Sequence, residues 1–244
     1  KHKKIDALVT APIDKKNSQS EEFKFPGHTD YLAQEFDGSA LMFMVSEEVR
    51  VGLLTDHVPV KDAPAAITKD LIRQKAVAMM ASLTQDFGIT RPKIAVLGVN
   101  PHSGDQGVIG SEDQDTMAPT INAMREEGSL IYGPYPADGF FGSGQYKHFD
   151  AVLAAYHDQG LIPFKTLSFG AGVNFTAGLN AVRTSPDHGT AFDIAGKNQA
   201  NISSFKEAVF TALNIVRHRK MHRKLTQAPL EISAKRPSHK KKHH

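Results

Sequence analysis

Apolar residues run almost without interruption over positions 5–10, 40–45, 51–55, 93–99, 151–156 and 181–184, each run short and bounded by polar, Gly or Pro positions. Continuous apolarity, as opposed to strict alternation, predicts strands buried on both faces. Between the runs the period changes to that of helices. Segment 64–85 follows Asp62 and has Pro64 near its first turn; 112–127 follows Ser111, with Gln114 three residues on; 205–219 follows Ser204, with Glu207 in the same relation. Each predicts a capped helix. Strands alternating with helices predict an α/β fold with a largely parallel sheet and flanking helices. The first strand begins at the fifth residue with no element before it, so the chain reads as N-terminally incomplete, entered midway through an α/β unit. No internal repeat is present.

Composition is that of an ordinary soluble domain: 244 residues, 40% hydrophobic and 23% charged. No apolar run approaches the ~20 residues needed to span a bilayer, and no signal-peptide pattern opens the chain. The expectation is a cytoplasmic protein with no membrane partner. Cysteine is absent, which excludes disulfides and thiolate metal sites and leaves any metal to His and carboxylates. The net charge of +3 divides unevenly. Residues 217–244 hold ten Lys/Arg and one acid; of the 29 basic and 26 acidic residues, 19 and 25 remain for the rest, a charge of −6. The basic balance therefore describes a tail, 220–244, read as a solvated end, attached to a body, 1–219. It does not describe a nucleic-acid-binding face.

Three histidines stand just after apolar strands: His57, His102 and His157. Ligands of open α/β sheets gather beyond the carboxyl ends of strands, where three imidazoles distant in sequence can converge. Three neutral imidazoles with an open position suit a divalent cation, although a single strand-end histidine is more often a hydrogen-bonded structural residue. Lys165, Asn174 and Arg183 form a second set, read as loop residues. They suit a phosphate or carboxylate, or, as composition favours, are a solvated Lys, a turn Asn and a surface Arg. Phe25-Pro26-Gly27-His28-Thr29-Asp30 precedes a helical stretch, 31–36, where Thr29 caps the helix, receives an anion with it, or both. The Gly-rich segment 104–110 lacks the spacing of a nucleotide-binding fingerprint and reads equally as an anion cradle or a flexible connection.

Ala11-Pro12-Ile13, Phe25-Pro26-Gly27-His28-Thr29, Asn100-Pro101-His102-Ser103-Gly104-Asp105, Tyr156-His157-Asp158-Gln159-Gly160 and Arg183-Thr184-Ser185-Pro186-Asp187-His188-Gly189-Thr190 together resemble the 4-hydroxythreonine-4-phosphate dehydrogenase family of pyridoxal phosphate biosynthesis. The resemblance runs from about Ile5 to about Arg219. It implies an isocitrate/isopropylmalate dehydrogenase-like fold, with the body forming the two lobes of a longer chain. It also implies a homodimer whose site lies at the subunit interface, with a metal held by His57, His102 and His157, and substrate contacts from His28, Thr29, Lys165, Asn174 and Arg183. Residues 188–197 with Asn201 are similar to the adenosine-binding loop of isopropylmalate and isocitrate dehydrogenases. That similarity places the dinucleotide, NAD or NADP, against His188, Gly189, Asp193 and Asn201. The alternative for His188 is a residue that closes a Gly turn and organises the loop.

The implied reaction is NAD-dependent oxidation of the secondary alcohol of 4-phosphooxy-L-threonine, followed by decarboxylation. A metal ion, one of zinc, magnesium, manganese or cobalt, would acidify the hydroxyl. Lys165, a neighbouring histidine or metal-bound water would take the proton. Competing readings are a paralogous dehydrogenase for threonate or erythronate 4-phosphate or a cis-dihydrodiol, a metal-dependent hydrolase, and an inactive fragment. The last arises because nothing here corresponds to the Gly/Pro-rich opening of the family's chains.

Overall fold

Strands buried on both faces need helices on both sides, and the computed structural model has that layering. It describes residues 4–14, 17–21, 24–25 and 28–228, without the side chains of Thr29 and Asp30. The strands are β1 (Leu8–Val9), β2 (Gly38–Val45), β3 (Arg50–Leu53), β4 (Ile94–Leu97), β5 (Ile131–Tyr135), β6 (Ala151–Ala154), β7 (Val173–Leu179) and β8 (Arg183–Pro186). The helices are α1 (His28–Glu35), α2 (Ala63–Ala66), α3 (Lys69–Gln85), α4 (Ala118–Glu126), α5 (Ala137–Gly142), α6 (His157–Ser168) and α7 (Ser203–Thr226).

One sheet of order β1-β8-β7-β2-β3-β6-β4-β5 joins all eight strands. Its β3-β6-β4-β5 half is parallel throughout, whereas β2 and β7 pair antiparallel with their neighbours. The sheet is thus mixed, and its parallel half carries the three histidine-bearing strand ends. Successive residues face opposite layers. Phe43, Val45, Val96 and Leu153 join Ile72, Met79, Ile121 and Ile215 of α3, α4 and α7 on one face. On the other, Met44, Val51, Leu53, Ala95 and Val152 meet Phe140, Leu161 and Phe164 of α5 and α6.

Helix boundaries moved where a side chain had a better partner than the expected one. The segment 64–85 is broken after α2 because Thr68 takes an extended conformation and its hydroxyl accepts the Leu71 amide at 3.2 Å, starting α3. Ser204 does not cap α7: its hydroxyl donates to Gly172 O at 2.8 Å, while Asn201 Oδ1 accepts the Ser203 amide. α7 continues through Thr226, past Arg219 and into the basic segment; residues 229–244 lie outside the described ones. It is fixed to α3 by a buried ion pair, Arg219 Nε to Asp86 Oδ1 at 2.5 Å, with Ser82 Oγ donating to the same carboxylate. Among the described residues no helix is long and apolar enough to cross a membrane.

Candidate active site

β3, β6 and β4 are adjacent and parallel, so the segments leaving their carboxyl ends emerge on one edge of the sheet. These segments carry His57, His157 and His102. The Leu54 and Thr55 amides continue the ladder to Ala154 O and Ala155 O, and Thr55 Oγ1 also donates to Ala155 O at 2.8 Å. The result is an imidazole pair, His57 and His157, with ring centroids 6.0 Å apart. His157 Nδ1 lies 2.7 Å from Asp158 Oδ1. A carboxylate only accepts, so in the neutral ring Nδ1 carries the proton and Nε2 keeps its lone pair, the arrangement of a metal ligand held by an outer carboxylate. Two such rings can address one ion at the ~2.0–2.1 Å typical of imidazole nitrogen.

His102 is exposed on a turn over Pro101–Gly107 in which residues 102–106 are all left-handed, with φ between 41° and 81°. For non-glycine residues that conformation costs roughly 1–2 kcal/mol each, so neighbours must hold it. Asp113, 1% exposed, accepts the Val99 and Asn100 amides at 2.8 and 3.0 Å and the Asn100 side-chain amide at 3.0 Å. The Val108 and Ile109 amides turn back onto Asp105 O and Gly104 O. The segment read as a cradle or flexible connection is therefore a tied-down turn. Among the described residues no group of three or more His, Asp or Glu side chains converges as a metal cage. One chain brings together two of the three imidazoles and presents the third separately on the same sheet edge.

The anion-directed residues lie on strands and a helix, not loops. Arg183 opens β8 and is 6% exposed. Its Nε and Nη2 donate to Thr10 Oγ1 at 3.0 and 2.7 Å, and its Nη1 to Thr176 Oγ1 at 3.4 Å. Burial, with no carboxylate offsetting it among the described residues, lowers the guanidinium pKa to about 10. The surface Arg favoured from composition is instead a buried cation surrounded by neutral hydroxyls. Burial and then the Arg183 charge lower the pKa of His28, whose Nδ1 is 3.4 Å from Arg183 Nη2. Asn174 on β7 shares a sheet face with Thr176, and its buried Oδ1 has no hydrogen-bond partner among the described residues. Lys165 is exposed on the last turn of α6, eight residues or ~12 Å along the axis from His157. The Thr29 side chain, Pro26 and Gly27 lie outside the described residues.

A cleft of about 760 Å³ opens between Ala11, Pro12 and the loop after β8, with His188, Gly189 and Phe192 among its lining. His188 Nδ1 is 2.9 Å from Gly189 O. Asp193 sits exposed in the short turn Phe192–Ile194 outside that lining, and the Asn201 carbonyl is engaged with α7. Thr10, Asp113 and Gln159 went unread in the sequence. Thr10 is hidden at the end of an apolar run, and the other two act through partners that only the fold supplies.

Residues 1–212 match the family described as pyridoxal phosphate biosynthetic protein PdxA. Over 228 residues the chain is 50% identical to the 4-hydroxythreonine-4-phosphate dehydrogenase of Bacteroides thetaiotaomicron, covering 93% of this chain and 63% of that protein. The chain therefore spans somewhat less than two thirds of that relative's length. Its fold superposes on the 4-hydroxythreonine-4-phosphate dehydrogenase of Klebsiella pneumoniae with TM-score 0.77 at 37% identity, covering 87% of this chain and 64% of that one. A terephthalate 1,2-cis-dihydrodiol dehydrogenase from Burkholderia xenovorans gives TM-score 0.67 at 26% identity, over 86% and 67% of the two chains. Isocitrate dehydrogenase from Methylococcus capsulatus, at 14% identity and TM-score 0.50 over 90% and 71%, shares the fold alone.

Proposed function

Because this chain belongs to the PdxA family of pyridoxal phosphate biosynthetic proteins, we propose that it carries the site of an NAD-dependent dehydrogenase for 4-phosphooxy-L-threonine. A bound NAD would supply the hydride acceptor for C3, and the hydroxyl proton would be lost to a base of the chain. The 3-oxo acid then releases carbon dioxide to give 3-amino-2-oxopropyl phosphate. The observation that carries this reading is the His57–His157 pair at adjacent strand ends. The donor set fits a divalent cation: two imidazoles, one oriented by Asp158, with His102 as third donor from this chain or as His102 of the partner subunit. A cation held there would lower the hydroxyl's pKa and offset charge developing on its oxygen.

The chain's own residues bind and orient. Arg183 keeps one N–H, on Nη1, beyond those directed at the threonine hydroxyls and His28 Nδ1, and an anionic substrate group would supply the counter-charge that the buried guanidinium lacks. Asn174 offers its unpartnered carbonyl to a substrate donor, and His28 and Thr29 close the same end. Lys165 is the side chain we assign to take the hydroxyl proton, a role that requires it to be covered. Support for a covering second copy comes from α6 and the residue after it, where Ile162 and Phe169, 65% and 87% exposed, flank Lys165. The enzyme would then be a cytoplasmic homodimer with its site at the subunit interface. The cleft against His188 and Gly189 is large enough for the adenosine portion of NAD; Asp193 and Asn201, outside its lining, are the further contacts assigned to the dinucleotide by the resemblance.

NADH absorbance decides the reading. Protein with NAD, a divalent metal and 4-phosphooxy-L-threonine should form NADH, and chelation should abolish it. Turnover only with threonate or erythronate 4-phosphate, or a cis-dihydrodiol, would reassign the substrate; metal-dependent turnover without NADH would overturn the dehydrogenase reading.

A further inference from the structure

We propose that Gln159 is a positioning residue that sets the spacing of the histidine-bearing strand ends by bridging β6 to β4 beyond the point where their ladder stops. The inference rests on the reading that these histidines hold a cation. The β4–β6 pairing runs through Val96 and Leu153 and then ceases as the two chains diverge. There the Gln159 amide takes over the ladder's work: Oε1 accepts the Ala155 amide at 2.7 Å and Nε2 donates to Gly98 O at 2.6 Å. Gln159 is the third residue of α6. In a capping box the side chain at that position returns to the amide of the cap residue, here Tyr156. This one passes Tyr156, reaches the residue before it, and spends its other end on the neighbouring strand.

The bridge is one link in a lateral chain of bonds. Ala155 gives its amide to Gln159 and its carbonyl to both the amide and hydroxyl of Thr55, two residues before His57. Gly98, four residues before His102, receives Gln159 on its carbonyl, and the next two amides are held by Asp113. Gly98 has no room for a side chain: an added Cβ would lie 2.7 Å from Asp113 Oδ1 and 2.8 Å from Ser103 Oγ. Thus Thr55, Ala155, Gln159, Gly98 and Asp113 lock the three strand ends laterally. The left-handed turn bearing His102 is tied to the His57–His157 pair through Gln159.

The test is titration of the chain with cobalt(II) alone, followed by visible absorption, beside thermal unfolding of the metal-free protein. Gln159→Glu keeps an acceptor for the Ala155 amide but sets a charged acceptor against Gly98 O in place of the donor; Gln159→Met removes both bonds without adding charge. We expect both to lower cobalt affinity by up to about 10-fold, the low end of what losing a partner bonded directly to a ligand costs, because Gln159 acts through the strand ends, and to change the spectrum of the bound ion. The metal-free unfolding temperature of Gln159→Met should fall by the few degrees that two lost backbone partners cost, and the altered spectrum of the bound ion is the readout that a merely structural role would not move. If Gln159→Glu does not fold, Gln159→Met carries the test. Wild-type affinity and spectrum in the folded variants would overturn the inference and leave the metal reading standing. A wild-type chain that binds no cobalt would overturn the metal reading and the inference with it.

Discussion

Replacing Gly160 by alanine should loosen the seat of α6 and with it the position of His157. An added Cβ would meet Val51 Cγ1, Leu53 Cδ2 and Ala154 Cβ, each at 2.9 Å, closer than real Cβ contacts come. Val51, Leu53 and Ala154 are at most 1% exposed within β3 and β6, so the sheet has nowhere to go and the helix must lift. Overpacking of this kind costs about 1–3 kcal/mol, and three simultaneous contacts place it in the upper part of that range. Alanine returns about 1 kcal/mol of helix propensity. The net loss is about 1–2 kcal/mol, or roughly 2–8 °C in Tm for a chain of this size. Gly139 is the internal control: it lies in α5 with nothing within 4 Å of an added Cβ. Gly139→Ala should therefore stabilise by about 0.4–1 kcal/mol. Thermal unfolding of both variants, with cobalt titration of Gly160→Ala, checks the reasoning. A Gly160→Ala protein as stable as Gly139→Ala, with unchanged cobalt affinity, would refute it.

Arg183→Met should leave Tm unchanged or raise it, because a buried charge without an acidic partner is removed, while raising the KM for the phosphorylated substrate at least 10-fold; charged hydrogen bonds contribute about 1.5–3 kcal/mol each. A fall of several degrees with unaltered KM would make Arg183 a purely structural residue. His28 should titrate below its ordinary 6.5, since burial and then the Arg183 charge disfavour its protonation. Its contribution to stability is accordingly present above 6.5 and lost as pH falls below that value, where the unfolded chain protonates first. Inorganic phosphate bound at Arg183 should raise the midpoint seen by NMR, and a free-state midpoint at or above 6.5 would contradict this. Asp86→Ala leaves Arg219 unpaired in a largely buried position and should cost about 3–5 kcal/mol in urea unfolding, whereas Asp86→Leu combined with Arg219→Met should recover most of the loss.

The strands that aim the histidines were legible because they are buried on both faces: β4 and β6 are continuous apolar runs, and β3 carries Val51 and Leu53 into Leu54 with only Gly52 between them. β7 was not, since Asn174 and Thr176, which face the Arg183 side, interrupt it together with Gly178. β5 contains Gly133 and Pro134, which read as a turn but are tolerated on an edge strand. α6 was hidden by Gly160 and Pro163; the first is there for close approach to the sheet, a requirement set by Val51 and Leu53 more than a hundred positions away. Distance in sequence likewise conceals the Thr10 hydroxyl that holds Arg183, 173 positions away, and Gln159 as the link to Gly98, 61 positions away. Residue type announced the histidines, whereas the polar residues that fix their strand ends, Thr55 and Gln159, take their meaning from the strand beside them.

Anomalous diffraction from crystals of the protein grown with cobalt(II) locates a bound cation without reference to turnover. One strong peak between the His57 and His157 imidazoles, with His102 of the same chain or of the partner subunit as a further donor, is the result this account predicts. A peak remote from both rings, or none at saturating cobalt, would contradict it.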